Sequence, residues 1–296
     1  MDGRDIKESV PVITDGRYLE KIYELQKELI DHYIEIEHLP MYPINVNPKS
    51  SQIMIKDFTA RVIEELAEGY ESMVLIDELS RKNFLWFGDY STDDLSQAIN
   101  HLQNISEEMA DAMHFLIELL IYVNIQPEDI IKYIQASRPN LYQHYAKNEK
   151  DIIQTVMYIG GGEETMNNSI LEEELVQTTN ILEKYLRIFG DDLDESNFDI
   201  DFYRAGSEFS SRLYISFKKA LWDVCYHLNI ARNFLKNKPW KQSEMMTDEI
   251  RFQKELVEGF ISLMGCYSIL GLDSKTLFHI YFKKNRVNLF RIRSKY

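Results

Sequence analysis

The sequence contains few of the residues that stabilise disulfide-linked or turn-rich folds. It has two cysteines, Cys225 and Cys266, both in apolar surroundings and neither in a C-x-x-C pair. Neither a disulfide scaffold nor a thiolate zinc site is therefore indicated, and we expect a reducing cytoplasm. Only 12 glycines and 7 prolines occur among 296 residues, which favours long helices over a turn-rich sheet protein.

Long apolar runs and an excess of basic residues are also missing. No run of 18 apolar residues occurs, and the N-terminus lacks the basic start and apolar core of a signal peptide, so we expect neither a membrane span nor export. The formal net charge of -15 argues against coating DNA or an anionic membrane. We therefore expect no nucleic acid and no membrane as a partner, whereas a small phosphate ligand could still bind through metal ions.

Several catalytic motifs are absent as well. The chain has no G-x-x-x-x-G-K-[ST] loop, G-x-S-x-G elbow, H-E-x-x-H or G-x-G-x-x-G segment. It also has no dipeptide in the order His then Asp, which disfavours a helical phosphohydrolase of the His-Asp type.

Apolar spacing predicts an all-α fold, and no segment shows a convincing strand alternation. Ser106 is the predicted N-cap of one helix, and Pro127 the predicted first residue of another. Helices are predicted over residues 18–36, 53–79, 94–102, 106–123, 127–138, 171–188, 204–236, 249–269 and 274–282.

The Gly-Gly-Gly segment at residues 160–162 is the clearest break in the chain. It divides an N-terminal helical half, residues 1–159, from a C-terminal half, residues 160–296, unless the two form one intertwined domain. The halves are weakly alike, since each has a carboxylate pair three residues apart on an apolar helix, a short turn and another helix. A duplicated four-helix unit with one degenerate copy and a chance likeness both stay open.

Carboxylates at helical spacing give the main chemical signal. Glu65 and Glu68 lie three residues apart on one predicted helix, and Glu108 and Asp111 on another. Residues three apart share a helix face, so each pair projects in one direction. The second helix is apolar on nearly all sides, so its carboxylates have little open solvent to face.

The residues alone leave two interpretations of these pairs open. Solvated helix faces with some intrahelical pairing would need no ligand. Buried carboxylates that face each other would instead repel, and a divalent cation would relieve that repulsion. Oxygen-only ligands select a hard ion, so this second interpretation predicts Mg²⁺, with Mn²⁺ as a substitute.

A basic segment, residues 281–296, contains six basic residues and no acidic one. Lys, Arg and Asn donors suit phosphate oxygens, and a solvated basic tail is the alternative.

These motifs together resemble a known family. The carboxylates, within Glu-Glu-x-x-Glu and Glu-x-x-Asp segments, are similar to the signature of the all-α nucleotide pyrophosphatases, which include MazG-like enzymes and the dimeric dUTPases. The likeness to dimeric dUTPases is closer, through an E-x-x-D-x-x-H-F stretch (108–115), a K-N-x-x-N-x-x-R stretch (284–291) and an L-Q-x-x-L stretch (25–29). The resemblance covers residues 18–123 and 231–296.

The resemblance implies a MazG-like helical bundle that hydrolyses dUTP to dUMP and pyrophosphate with Mg²⁺, as a homodimer in the cytoplasm. In that scheme Glu65 or Glu68 would activate the attacking water. The metal ligands implied are Glu65, Glu68, Glu108 and Asp111. The phosphate-binding residues implied are Lys284, Asn285, Asn288 and Arg291, with Arg81 and Lys82. The base-binding residues implied are Gln26, Trp86 and His114.

Two departures from the family pattern leave alternatives open. Ile30 stands where an asparagine is expected after the L-Q-x-x-L stretch, and a different segment, containing Arg81, Lys82 and Trp86, replaces the expected basic one. A phage-type enzyme that cleaves dCTP, or both dCTP and dUTP, is therefore an alternative. A non-catalytic helical module that binds nucleotides or a partner is the alternative from another class.

Overall fold

The computed structural model describes residues 8–85, 92–146, 150–161, 201–237, 240, 242 and 245–294. Within these residues every regular element is a helix, which confirms the all-α prediction. The helices, numbered in chain order, are α1 (Tyr18–Glu37), α2 (Lys49–Leu85), α3 (Thr92–Tyr122), α4 (Pro127–Ser137), α5 (Pro139–Tyr145), α6 (Ile152–Gly161), α7 (Asp201–Phe234), α8 (Glu249–Ile269) and α9 (Ser274–Ser294). The helix predicted at 171–188 lies outside the described residues.

The predicted break between residues 102 and 106 is wrong, because α3 runs through this segment without interruption. Ser106 is not an N-cap: its hydroxyl donates to the carbonyl oxygen of Leu102, one turn earlier in the same helix, at 3.1 Å. A serine inside a helix commonly satisfies its hydroxyl in this way, so its presence does not fix a helix start.

The last helix is longer than predicted. α9 extends to Ser294 and includes most of the basic segment 281–296, for which a solvated basic tail was one of the two interpretations. Leu289 is buried on the same side of α9 as Phe278 and Phe282, so the basic segment shares an apolar face with the start of the helix. Packing of that face stabilises the helix despite the high density of positive charge.

Helix α3 lies at the centre of the fold, in contact with α1, α2, α8 and α9. Its buried residues lie on nearly every side, as the sequence predicted. They include Met109, Met113, Leu116, Ile117 and Leu120. Polar groups on α3 therefore face neighbouring helices more than open solvent.

The two predicted halves meet at a close crossing of α6 and α8. A Cβ added to Gly160 would lie 2.1 Å from the carbonyl oxygen of Ile261 and 2.8 Å from the amide nitrogen of Gly265. Glycine is therefore needed at residue 160 for backbone proximity, and α6 ends one residue later. The division predicted at residue 160 thus falls inside a packed helix.

Among the described helices, none is by itself both long and apolar enough to cross a membrane. Only α8 and α9 taken together pass the length and composition test, and they are bent by 106° at the turn between them.

Candidate functional site

Three of the four predicted metal ligands come together where α2 packs on α3. Glu65 and Glu68 project from α2, and Glu108 projects from α3. Each offers a carboxylate oxygen, and the three oxygens lie within 4.8 Å of one another. We call these three residues the carboxylate cluster. Glu65 and Glu108 are half-buried and Glu68 is exposed, so the cluster is open to solvent on one side.

Burial and mutual repulsion raise the pKa values of Glu65 and Glu108, two members of the carboxylate cluster. Burial, the charge of Asp111 and a hydrogen bond with Glu108 raise the pKa of Glu65 to about 8. Burial also raises the pKa of Glu108, although the same hydrogen bond opposes the rise. This is the behaviour of carboxylates that share a site, where one proton reduces the mutual repulsion. A divalent cation would do the same, and the oxygen-only donor set fits Mg²⁺.

Asp111 lies next to the carboxylate cluster and forms an ion pair with the ammonium group of Lys284. Its Oδ2 lies 2.7 Å from Nζ of Lys284, and both side chains are largely buried. Burial raises the pKa of Asp111, while the charges of Lys284 and Arg291 oppose that rise. The structure thus brings the predicted phosphate-binding segment onto the predicted metal ligands.

One face of α9 presents the predicted phosphate contacts. Lys284, Asn288 and Arg291 are spaced four and three residues apart, which places them on the same side of the helix. Asn288 is half-buried and Arg291 is exposed, so both could meet a ligand. Asn285 points elsewhere: it is fully buried, and its Nδ2 donates to the carbonyl oxygen of Leu25 at 3.2 Å. Asn285 therefore joins α9 to α1 and offers no donor to a phosphate here.

Two predicted base contacts, Gln26 and His114, belong to a buried polar group that also contains Glu118 and Tyr281. We call these four residues the Gln26 network. Gln26 Oε1 accepts from Tyr281 Oη at 2.5 Å and lies 2.8 Å from His114 Nδ1, while Gln26 Nε2 donates to Glu118 Oε2 at 3.2 Å. The rings of His114 and Tyr281 stack with centroids 4.0 Å apart. Burial lowers the pKa of His114 to about 3, so the imidazole is neutral.

All four side chains of the Gln26 network are buried, so none offers surface to a base in this structure. The base contacts predicted for Gln26 and His114 stay predictions. Sequence reasoning missed Tyr281, although its position three residues before Lys284 places it on the same face of α9 and could have drawn attention to it. Trp86 lies outside the described residues, as do the side chains of Arg81 and Lys82.

The carboxylate pair at the corresponding place in the C-terminal half, Glu255 and Glu258 on α8, already has polar partners. Glu258 Oε2 lies 2.6 Å from a guanidinium nitrogen of Arg138, and Glu255 lies 2.8 Å from Nδ1 of His227. Tyr133 also donates its hydroxyl to Glu258. Basic and hydroxyl partners therefore satisfy this pair, in contrast to the carboxylate cluster.

No family model matches the chain, and neither the curated proteins nor the solved structures include a significant match.

Proposed function

We propose that this protein is a Mg²⁺-dependent nucleoside triphosphate pyrophosphatase that converts dUTP to dUMP and pyrophosphate. The observation that carries the proposal is the meeting of the carboxylate cluster on α2 and α3 with Lys284 and Arg291 on α9. Anionic groups that attract a hard cation and cationic groups that attract phosphate thus lie at one place. The MazG-like bundle, the homodimer and the preference for dUTP come from the family resemblance and belong to the proposal.

In the proposed reaction, acidic side chains would bind the metal and the attacking water, and basic side chains would bind the leaving pyrophosphate. Glu65, Glu68, Glu108 and Asp111 would hold Mg²⁺, which when bound lowers the pKa of coordinated water and neutralises phosphate charge. Glu65 or Glu68 would orient the attacking water or accept its proton. Lys284 would leave Asp111 as Asp111 turns to the cation, and it would then bind the leaving pyrophosphate together with Asn288 and Arg291.

A substrate screen with matched variants tests the proposal. Purified protein is incubated with Mg²⁺ and each dNTP and NTP, and the release of pyrophosphate and nucleoside monophosphate is measured. We expect dUTP cleavage, and a fall of about 100-fold or more in kcat/KM for Glu65→Gln. Glu64→Gln is the control, because Glu64 is the exposed neighbour outside the carboxylate cluster. Full turnover by Glu65→Gln, or cleavage of no nucleotide by the wild-type protein, contradicts the proposal.

The screen also separates the alternatives. Preferential cleavage of dCTP would select the phage-type activity. The ion pair between Lys284 and Asp111 favours a further candidate, a non-catalytic nucleotide-binding module, because the ammonium already neutralises one ligand. Calorimetry with Mg²⁺ and a non-hydrolysable dUTP analogue distinguishes the enzyme from the non-catalytic module. The enzyme requires Mg²⁺ and the analogue to bind cooperatively, whereas the module can bind the analogue without Mg²⁺.

A further inference from the structure

The hydrogen bonds of Gln26 leave little capacity for a ligand. The side chain is 0% exposed, and its Oε1 already has two partners, Tyr281 and His114. An amide oxygen has two lone pairs, so Oε1 is saturated. One of the two N–H groups donates to Glu118. Side chains of α3 and α9 enclose this amide, so a base could reach it only if one of these helices moved away.

The same hydrogen bonds determine how α9 lies on α1. Tyr281 bonds to the side chain of Gln26, and Asn285, one turn later on α9, bonds to the carbonyl oxygen of Leu25. Two successive turns of α9 are therefore joined to two adjacent residues of α1. Any slip of α9 along α1 would break both bonds and leave buried polar groups without partners, which is costly.

Lys284 lies between these two attachment points on α9. Its Nζ is 2.7 Å from Asp111 Oδ2, so its position depends on the register of α9 against α3. His114 and Glu118, which hold the other side of the Gln26 amide, lie on α3 three and seven residues after Asp111. One amide thus links α1 to the two helices that carry Lys284 and Asp111.

We propose that Gln26 is a positioning residue whose side-chain amide fixes the register of α9, and so holds Lys284 and Arg291 opposite the carboxylates. Gln26 acts through α9 and contacts no part of the substrate. This inference rests on the proposed function for its link to phosphate binding, whereas its structural part can be tested without any substrate.

The structural part is tested by amine labelling of the intact protein. Lysines are acylated under limiting reagent, and the rate at each site is followed by mass spectrometry, with the 74% exposed side chain of Lys132 as internal reference. Gln26→Leu is expected to raise the labelling rate of Lys284 at least about threefold, because the helix that holds it loosens locally. Asp111→Asn, which removes the ion-pair partner, gives the rate of an unpaired Lys284.

The chain offers a matched control in Gln52. This glutamine is also 0% exposed, and its Nε2 donates to the carbonyl oxygen of Val46 and the hydroxyl of Thr247, away from α9. Gln52→Leu should lower the stability of the fold and leave the labelling of Lys284 unchanged. Tyr281→Phe is the milder second variant if Gln26→Leu does not fold, since it removes only one hydroxyl from the Gln26 network.

The functional part is tested with inorganic tripolyphosphate, a probe that has no base. We expect Gln26→Leu to weaken tripolyphosphate binding with Mg²⁺ about tenfold and to raise KM for every cleaved nucleotide by a similar factor. Unchanged labelling of Lys284 overturns the proposal. So does unchanged tripolyphosphate affinity accompanied by lost discrimination among bases, which would show that Gln26 contacts the base. If the wild-type protein binds no tripolyphosphate, the proposed function fails, and the labelling result alone decides the positioning role.

Discussion

Glu118 makes the stability of this fold depend on pH in a direction that can be measured. The carboxyl group is buried on α3, and burial raises its pKa from 4.5 to about 8. The charge of Arg61 and the hydrogen bond from Gln26 oppose this rise without cancelling it. Near neutral pH Glu118 is therefore mainly protonated in the folded protein, whereas it is ionised in the unfolded chain.

The sign of the effect follows from that difference. A carboxyl whose pKa is raised in the folded state contributes stability that is fully present below about pH 4.5 and is lost as the pH rises through about 8. Between about pH 5 and pH 7 the loss amounts to about 2.5 kcal/mol in the free energy of unfolding. Glu118→Gln removes the ionisation, while the substituted amide can still accept from Gln26.

Urea unfolding at several pH values measures the effect. We expect the wild-type protein to lose stability relative to Glu118→Gln as the pH rises, so that the two curves diverge by about 2.5 kcal/mol between about pH 5 and pH 7. Glu64→Gln controls for the loss of one carboxylate at an exposed position. Parallel curves for the wild-type protein and Glu118→Gln would refute the assignment of a raised pKa to this residue.

Three further predictions concern the cluster and the helices. Because the pKa of Glu65 is raised to about 8, Mg²⁺ must displace a proton from the cluster in order to bind. Calorimetry should therefore show the affinity for Mg²⁺ rising about 50-fold from about pH 6 to pH 8, and equal affinities at the two pH values would contradict this. Gly160→Ala should destabilise the fold by about 2–3 kcal/mol, because the new Cβ would collide with the Ile261 carbonyl; an unchanged urea midpoint would contradict this. Ser106→Ala should cost less than about 0.5 kcal/mol in urea unfolding, whereas loss of a true N-cap costs about 1 kcal/mol.

The sequence predicted those features that depend on spacing within one helix. The apolar residues around Met113 identified α3 as a buried helix, and the three-residue spacing of Glu65 and Glu68 placed both on one face. Such features follow from the geometry of a single helix, in which residues three apart are neighbours. The helix that begins at Pro127 was predicted for the same local reason, and the structure confirms its start.

Contacts between distant helices could not be predicted in this way. Gln26 and Tyr281 are 255 residues apart, and neither one's helical spacing specifies the other as its partner. Ser106 shows a related failure within one helix, since a serine that caps a helix and one that bonds back to the preceding turn look alike in a sequence. The choice between them depends on whether the preceding residues are packed against a neighbouring helix.

The antiparallel packing of α3 and α9 explains why Lys284 forms an ion pair with Asp111. On α3, Asp111 and His114 are one turn apart, and on α9 Tyr281 and Lys284 are one turn apart in the reverse order. Stacking of Tyr281 on His114 therefore brings the ammonium of Lys284 to the carboxylate of Asp111, because the two helices run antiparallel along this contact. A buried carboxylate without a partner would destabilise the fold, and the ammonium supplies that partner.

The same geometry indicates how the site could accept a metal and a triphosphate without leaving a charge unpaired. A cation that bound Asp111 would displace the ammonium, and the ammonium would then need an anion within reach of α9. A triphosphate supplies that anion. The metal therefore pairs the carboxylate of Asp111, the phosphate pairs the ammonium of Lys284, and neither charge is left without a partner. Metal and phosphate should therefore bind with positive coupling, and Lys284→Met should weaken that coupling while leaving an anionic site for the cation. Equal coupling in the wild-type protein and Lys284→Met, measured by calorimetry with Mg²⁺ and tripolyphosphate, would show that the ion pair has no part in it.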